Sequence, residues 1–354
     1  MIRVKPKIGS MAAYQPPWSG MDRTDYIRLD LNENTRKPAA SVLEALTAHV
    51  QQGLIGVYPD TTAFVPLLAD YVQCPADHLL PTNGSDQALE LVIRAFLDPG
   101  DSLLVARPEF AMISHIAAVI GAQTLGVPYG DDLTFPTTAF EEAAASRKPQ
   151  LIVVINPNNP TGTAVDMEAI TRLVKAHPDT PVLVDEAYYE YTGQTALPLL
   201  KDHPNLLITR TFSKAFAMAG LRLGYVIARP ELIAEFQKVR GPFDVNSCAI
   251  VAGMAQLREA GSIRQHIDEV HKDTMPRVLS LLQRHGVKHK ASPANFLLVW
   301  PDNVDRCVAY LKDQRILVRK MGAPGIEGSF RMSLGTSEEM THFVQVFDAY
   351  LRNG

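Results

Sequence analysis

The residues able to do chemistry gather most densely between positions 206 and 228, which read LLITRTFSKAFAMAGLRLGYVIA. Lys214 stands there among Phe212, Ala215, Phe216, Ala217 and Met218. Burial in such company disfavours an ammonium, lowers its pKa and leaves an amine that can attack an aldehyde. Thr211 and Ser213 set hydroxyls beside it, and Arg222 brings a planar fork suited to phosphate. The plain alternative is a solvated turn between two strands.

Three other stretches carry groups of the same kind. TNGSDQALELVIRAF (82–96) sets Gly84, Ser85 and Asp86 at a helix start, where amides and the helix dipole seat a phosphate. An ordinary Ser or Asp N-cap would use the same residues. INPNNPTG (155–162) places Asn156, Asn158 and Asn159 between prolines, which turn chemistry would also explain. VLVDEAYYEY (182–191) ends three apolar residues on Asp185. A carboxylate so placed needs a cationic partner, since an unpaired buried charge is costly. A distant arginine would serve. Taken together, the groups grip a phosphate, join an amine to an aldehyde and neutralise a protonated ring nitrogen. That is the chemistry of pyridoxal phosphate. The chain carries neither GxxxxGK nor a GxGxxG after its first strand.

The elements that must position these groups alternate. Apolar strands are expected at 103–106, 124–127, 151–155, 182–184, 206–209 and 225–228. Helices are expected at 87–97, 111–120, 139–146, 167–177 and 231–240. Such alternation predicts an α/β fold, a mainly parallel sheet covered by helices on both faces. Ligands then gather beyond the carboxyl ends of the strands. After residue 246 the texture changes to helical patterns at 247–259 and 262–284 and strands at 296–299 and 330–333. The domains expected are an N-terminal arm (1–40) belonging to a small domain, a large cofactor-binding domain (41–245) and a small α+β C-terminal domain (246–354). An arm rich in Pro, Gly and Asn cannot bury itself and must lie on the body or on a second subunit. Within it, Tyr14 and the run LDLNENT (29–35) offer polar groups, as does Tyr58 in the turn GVYPDTT (56–62).

Composition narrows the partners. The 354 residues are 46% hydrophobic, enough for a large core and a smaller one. A net charge of −4 speaks against nucleic acid. Cys74, Cys248 and Cys307 are scattered, which suggests a reducing compartment with neither a disulfide framework nor a metal site. No signal-peptide core and no membrane-length apolar run is present, so a soluble cytoplasmic protein is expected.

NGSD, NPNNPTG, VDEAY and TFSKAFAMAGLRLGY, in this order, resemble the fold-type I aminotransferases, specifically the histidinol-phosphate aminotransferase group. The resemblance runs from LDLNEN through YPD to GPFDVNS, ANFLLV and FRMSLGT. It implies that Lys214 bonds covalently to pyridoxal phosphate and moves a proton, and that Asp185 pairs with the ring nitrogen. Asn159 and Tyr188 would hold the phenolic oxygen, and Phe110 would stack on the ring. The phosphate would rest on Gly84, Ser85, Asp86, Thr211, Ser213 and Arg222. Tyr58 would reach the phosphate of a neighbouring subunit, which implies a homodimer with shared active sites.

For substrate, the resemblance implies Tyr14, Asn32, Arg319 and Arg331, the two arginines gripping a phosphate or the carboxylates of glutamate. The reaction implied is a ping-pong exchange between glutamate/2-oxoglutarate and histidinol phosphate/imidazole acetol phosphate. Alternatives are an aromatic amino-acid aminotransferase or an enzyme resembling threonine-phosphate decarboxylase. A ligand-sensing module of a transcription regulator would need a DNA-binding domain ahead of the fold, for which no room is expected. Two departures stand out. Thr35 replaces the proline usual after NEN, and Phe110 stands where many members have tyrosine.

Overall fold

The computed structural model describes Ile2, Val4, residues 6–13 and residues 20–353. Its strands are, in chain order, β1 (Ile27–Arg28), β2 (Leu79–Thr82), β3 (Ser102–Arg107), β4 (Gln123–Pro128), β5 (Leu151–Ile155), β6 (Val182–Asp185) and β7 (Leu206–Thr211). They continue as β8 (Gly224–Ile227), β9 (Lys288–Ala291), β10 (Phe296–Trp300), β11 (Ile316–Leu317), β12 (Arg319–Lys320) and β13 (Phe330–Ser333).

Seven strands form the large sheet in the order β2-β8-β7-β6-β5-β3-β4. All neighbours are parallel except where β8 meets β7 and β2. Alternate side chains feed two cores. On β5, Ile152 and Val154 face one and Leu151, Val153 and Ile155 the other. Burial on both faces is why these strands read as continuous apolar runs. The helices Gly84–Phe96, Ala111–Ile120 and Pro230–Val239 cover one face, with Phe64–Val72, Thr137–Arg147 and Met167–Ala176 on the other.

The turn-back of β8 has a direct cause. A parallel neighbour needs a crossover, commonly a helix, to carry the chain back along the sheet. Between β7 and β8 the chain makes only a loop with one 3-10 turn, Ala219–Leu221, so β8 returns antiparallel. That loop holds Lys214 and Arg222 at the carboxyl end of β7.

A second sheet, β12-β13-β10-β9, is antiparallel throughout and backs onto its own core with helices Met275–Arg284, Val304–Asp313 and Ser337–Asn353. Residues 27–29 join this part. β1 pairs with β11, and Leu29 is fully buried in the second core.

The α/β fold is as expected from the pattern, and most expected elements lie within a few residues of those observed. The edge strand β2 was hidden by Pro81, which a sheet tolerates only at its edge. The pattern at 262–284 is not one helix. Ser262–Glu269 and Met275–Arg284 flank a π-turn at Val270–Thr274. Pro276 lacks a backbone donor and crowds the carbonyl of Lys272, so the turn widens. The helix Ser247–Arg258 lies beyond the expected boundary at 245, yet packs on Ala40–Gln51 and Phe64–Val72 and shares their core.

One buried ion pair braces the site strands from behind. Arg210 and Glu186 are both essentially inaccessible and meet at 2.9 Å, with the Arg210 guanidinium 3.5 Å from the Tyr189 ring centre. Thr195 and the amide of Ala196 also donate to Glu186. Removing one partner of such a pair strands the other charge. Glu186→Ala is expected to lower unfolding free energy by about 3–5 kcal/mol, read from denaturant melts.

Candidate active site

The carboxyl ends of β5, β6 and β7, the start of helix Gly84–Phe96 and the Lys214 loop enclose a pocket of about 120 Å³. It opens into a cleft of about 430 Å³ that reaches the second sheet at Arg319 and Arg331. Phe110, Asn159, Ser213, Lys214 and Arg222 line both spaces.

One part of the inner pocket suits an anion. Ser85, Asp86, Thr211, Ser213 and Arg222 line it together. Arg222 has a left-handed backbone (φ 55°), donates to Ser213 Oγ at 3.3 Å and pairs with Asp86 at 2.6 Å. The guanidinium lies hard against the helix start. A Cβ on Gly84 would fall 2.5 Å from Arg222 Nη2, and one on Gly224 would fall 2.6 Å from the Gly84 carbonyl carbon. Both positions therefore need glycine if backbone amides and guanidinium are to converge on one ligand.

Asp185 and Lys214 supply the other chemistry. Asp185 is buried, accepts from Thr209 Oγ1 at 3.0 Å and has no ion pair among the described residues. Loss of water pushes its carboxyl up to about 7, against the lowering pull of the Thr209 hydroxyl. A carboxylate held this way is completed by a cation from outside the chain. Lys214 faces the same pocket, and its amine donates to the Leu31 carbonyl at 3.0 Å. Desolvation first, then the charge of Arg331, brings its pKa down to about 8. An amine poised there is still mainly protonated at pH 7, but a far larger fraction of it is free to act as nucleophile or base than in an ordinary lysine. These donors and acceptors fit pyridoxal phosphate, with its cationic ring nitrogen, its aldehyde and its phosphate.

The remaining expected residues fall in several places. Tyr188 and Asn159 line the inner pocket. Arg331 donates to the Asn159 side chain and, at 2.8 Å, to the Asp30 carbonyl. Arg319 stands directly across from Arg331 in the β12–β13 register, so two cations share one cleft wall. Like charges placed opposite one another are destabilising unless an anion joins them. Asn32, expected to face substrate, is buried instead and lines neither space. Its amide donates to the Tyr188 hydroxyl at 2.8 Å, and its backbone NH donates to Ser333. Tyr58 lies away from this chain's own pocket. It is 77% exposed and stacks on Phe243 at 4.4 Å. Tyr14 lies outside the described residues.

Two charged cleft residues, Arg23 and Glu109, were not foreseen, whereas Glu33 lies in the run LDLNENT already marked for its polar groups. Arg23 pairs with Asp30 at 2.6 Å and Glu33 at 2.9 Å, and both Arg23 and Glu33 line the cleft, as does Glu109. Arg23 sits in an aperiodic segment, where only the nearness of opposite charges in sequence gave any signal. The departure at Thr35 has a visible partner, since its hydroxyl donates to Glu339 at the start of the last helix. Phe110 presents a ring without a hydroxyl to both spaces.

Residues 24–347 match the family model described as aminotransferase class I and II. A histidinol-phosphate aminotransferase of Symbiobacterium thermophilum is 34% identical over the whole of both chains. One of Caldanaerobacter subterraneus subsp. tengcongensis is 32% identical over 90% of this chain and 91% of its own. Among solved structures, histidinol-phosphate aminotransferase from Sinorhizobium meliloti in complex with pyridoxal-5'-phosphate superposes with a TM-score of 0.90 at 24% identity. That match covers 100% of this chain and 98% of the other.

Asp185 also gives the cofactor-free chain a pH signature. Its pKa rises from 3.8 to about 7 on folding, so the folded state holds the proton more tightly. The stabilising contribution is complete below about pH 4 and is lost as pH rises through about 7. Asp185→Asn is therefore expected to remove this loss and, at pH 8, to raise the cofactor-free stability by roughly 2–4 kcal/mol. Denaturant melts at pH 5 and pH 8 measure it.

Proposed function

The chain belongs to the class I and II aminotransferases, and from that premise we propose a pyridoxal-phosphate enzyme that exchanges an amino group between glutamate and histidinol phosphate. The main support is the placing of Lys214 and cation-free Asp185 on one small pocket. The wall formed by Arg319 and Arg331 supports a substrate carrying a phosphate or a carboxylate.

Bound pyridoxal phosphate supplies an aldehyde that captures an amino group and a cationic ring that accepts the electron pair released at Cα. Lys214 would hold the cofactor by its amine and, once released, would take the Cα proton and deliver it to the carbon that was the cofactor's aldehyde. Its lowered pKa suits both tasks. Asp185, as the anion, keeps the proton on the ring nitrogen. The Tyr188 hydroxyl and Asn159 amide hold the phenolic oxygen, with Asn32 fixing the tyrosine. Phe110 would stack on the ring face. Arg222, Ser213, Ser85, Thr211 and the backbone at Gly84, with Asp86 steadying the arginine, hold the phosphate. Arg331 and Arg319 bind the substrate anion, one carboxylate or phosphate at a time, as a ping-pong cycle requires.

Tyr58 belongs to the partner's site in this reading. It is exposed beside Leu54, Ile55, Val57 and Phe243, an apolar surface that suits a second copy of the chain. The enzyme is then a homodimer with shared active sites. Tyr14 is assigned to the substrate by resemblance alone. The chain divides into a large domain running through the helix Ser247–Arg258 and a small domain comprising the N-terminal segment and the remainder. We place it in the cytoplasm, where Cys74, Cys248 and Cys307 stay reduced. No helix among the described residues is long and apolar enough to cross a membrane.

The test is conversion of the cofactor's absorption band in single turnover by histidinol phosphate, phenylalanine and O-phosphothreonine. Saturable conversion by histidinol phosphate at the lowest concentration is expected. Arg319→Ala should weaken that donor's apparent affinity by roughly 10- to 100-fold. Preference for phenylalanine would overturn the substrate, and release of CO2 from O-phosphothreonine would overturn the reaction.

A further inference from the structure

Asp185 receives one side-chain hydrogen bond among the described residues, and it comes from the neighbouring strand. The parallel register of β6 and β7 sets Thr209 opposite Asp185. Thr209 is fully buried, and its hydroxyl donates to Asp185 Oδ1 at 3.0 Å. The Ala187 amide adds a backbone donor. Against these stand forces that disfavour the anion. The pocket removes water, Asp86 presses from helix Gly84–Phe96, and Glu186 lies next in the chain. Lys214, Arg222 and Tyr188 complete the ionisable groups lining the pocket. Thr209 touches none of the cleft space, so it acts only through Asp185.

We propose that Thr209 is a positioning residue that holds Asp185 ionised and oriented, leaving Oδ2 for the ring nitrogen of the cofactor. The inference rests on the assignment of pyridoxal phosphate to this pocket. A hydroxyl donor to a carboxylate favours the charged form. It matters most where the free carboxyl would otherwise be protonated, and Asp185 lies at about 7. Its removal therefore weakens cofactor capture below neutrality and leaves capture at high pH unchanged, where Asp185 is already an anion. General damage to the pocket would weaken capture at every pH.

The experiment is titration of the full-length, cofactor-depleted protein with pyridoxal phosphate from pH 6 to 9.5. Wild type, Thr209→Val, Thr209→Ala and Thr209→Ser are compared, each first checked by thermal melting. Val and Ala are expected to bind about tenfold more weakly at pH 6.5 and to converge with wild type at pH 9.5. Ser, which keeps the donor, should restore the wild-type profile. Equal profiles for all four, or a loss in Val and Ala that persists undiminished at pH 9.5, would overturn the assignment to Thr209. Wild type that binds no pyridoxal phosphate at any pH would overturn the cofactor reading and this inference with it. A Val variant that fails to fold leaves the Ala and Ser comparison to decide.

Discussion

A carboxylate buried at the end of a sheet strand, with no ion pair among the described residues, is the constraint on which the rest depends. Most buried carboxylates are paired. Asp185 is completed by the fold only as far as Thr209 and the Ala187 amide. Behind it the neighbouring Glu186 is fully neutralised by Arg210. Two adjacent acids on one strand therefore meet opposite fates. The one aimed away from the pocket is locked in a structural ion pair, and the one on the pocket is left for a ligand.

The loop that answers Asp185 follows from sheet topology. With no helix between β7 and β8, the chain stays at the carboxyl edge long enough to set out Ser213, Lys214 and Arg222, then turns back. Glycine at 84 and 224 lets Arg222 and the helix start approach at contact distance. The segment from Asp30 to Arg36 then ties the two sheets across this site. Asp30 accepts from Arg331, Leu31 from Lys214, and Asn32 donates to Tyr188. Arg36 meets Glu269 at 2.7 Å, beside the π-turn. The small sheet is thus linked by hydrogen bonds to the lysine and the tyrosine through one short stretch of chain.

Legibility in the sequence followed contiguity. Lys214, Ser213 and Arg222 fall in one run, and Asp185 ends a visible strand, so local pattern alone marked them. The parallel sheet was legible because strands covered on both faces have to be apolar throughout. The features that escaped depended on register or on distant partners. Thr209 looks like any strand residue until β6 is laid beside β7. Asn32 reads as a polar loop residue until Tyr188 and Ser333 are brought to it. The helix Ser247–Arg258 has the same texture as the helices C-terminal to it, and only packing assigns it to the large core. Pro81 and Pro276 went unread as breakers. Their effects, an edge strand and a π-turn, needed the surrounding elements to define them.

The most direct test of the account is to reduce the purified, cofactor-bound protein with borohydride and map the modified peptide by mass spectrometry. The account predicts a single pyridoxyl-phosphate adduct on the peptide containing Lys214, absent when Asp185→Asn prevents stable capture. An adduct on another lysine, or none in a protein active in amino transfer, would contradict it.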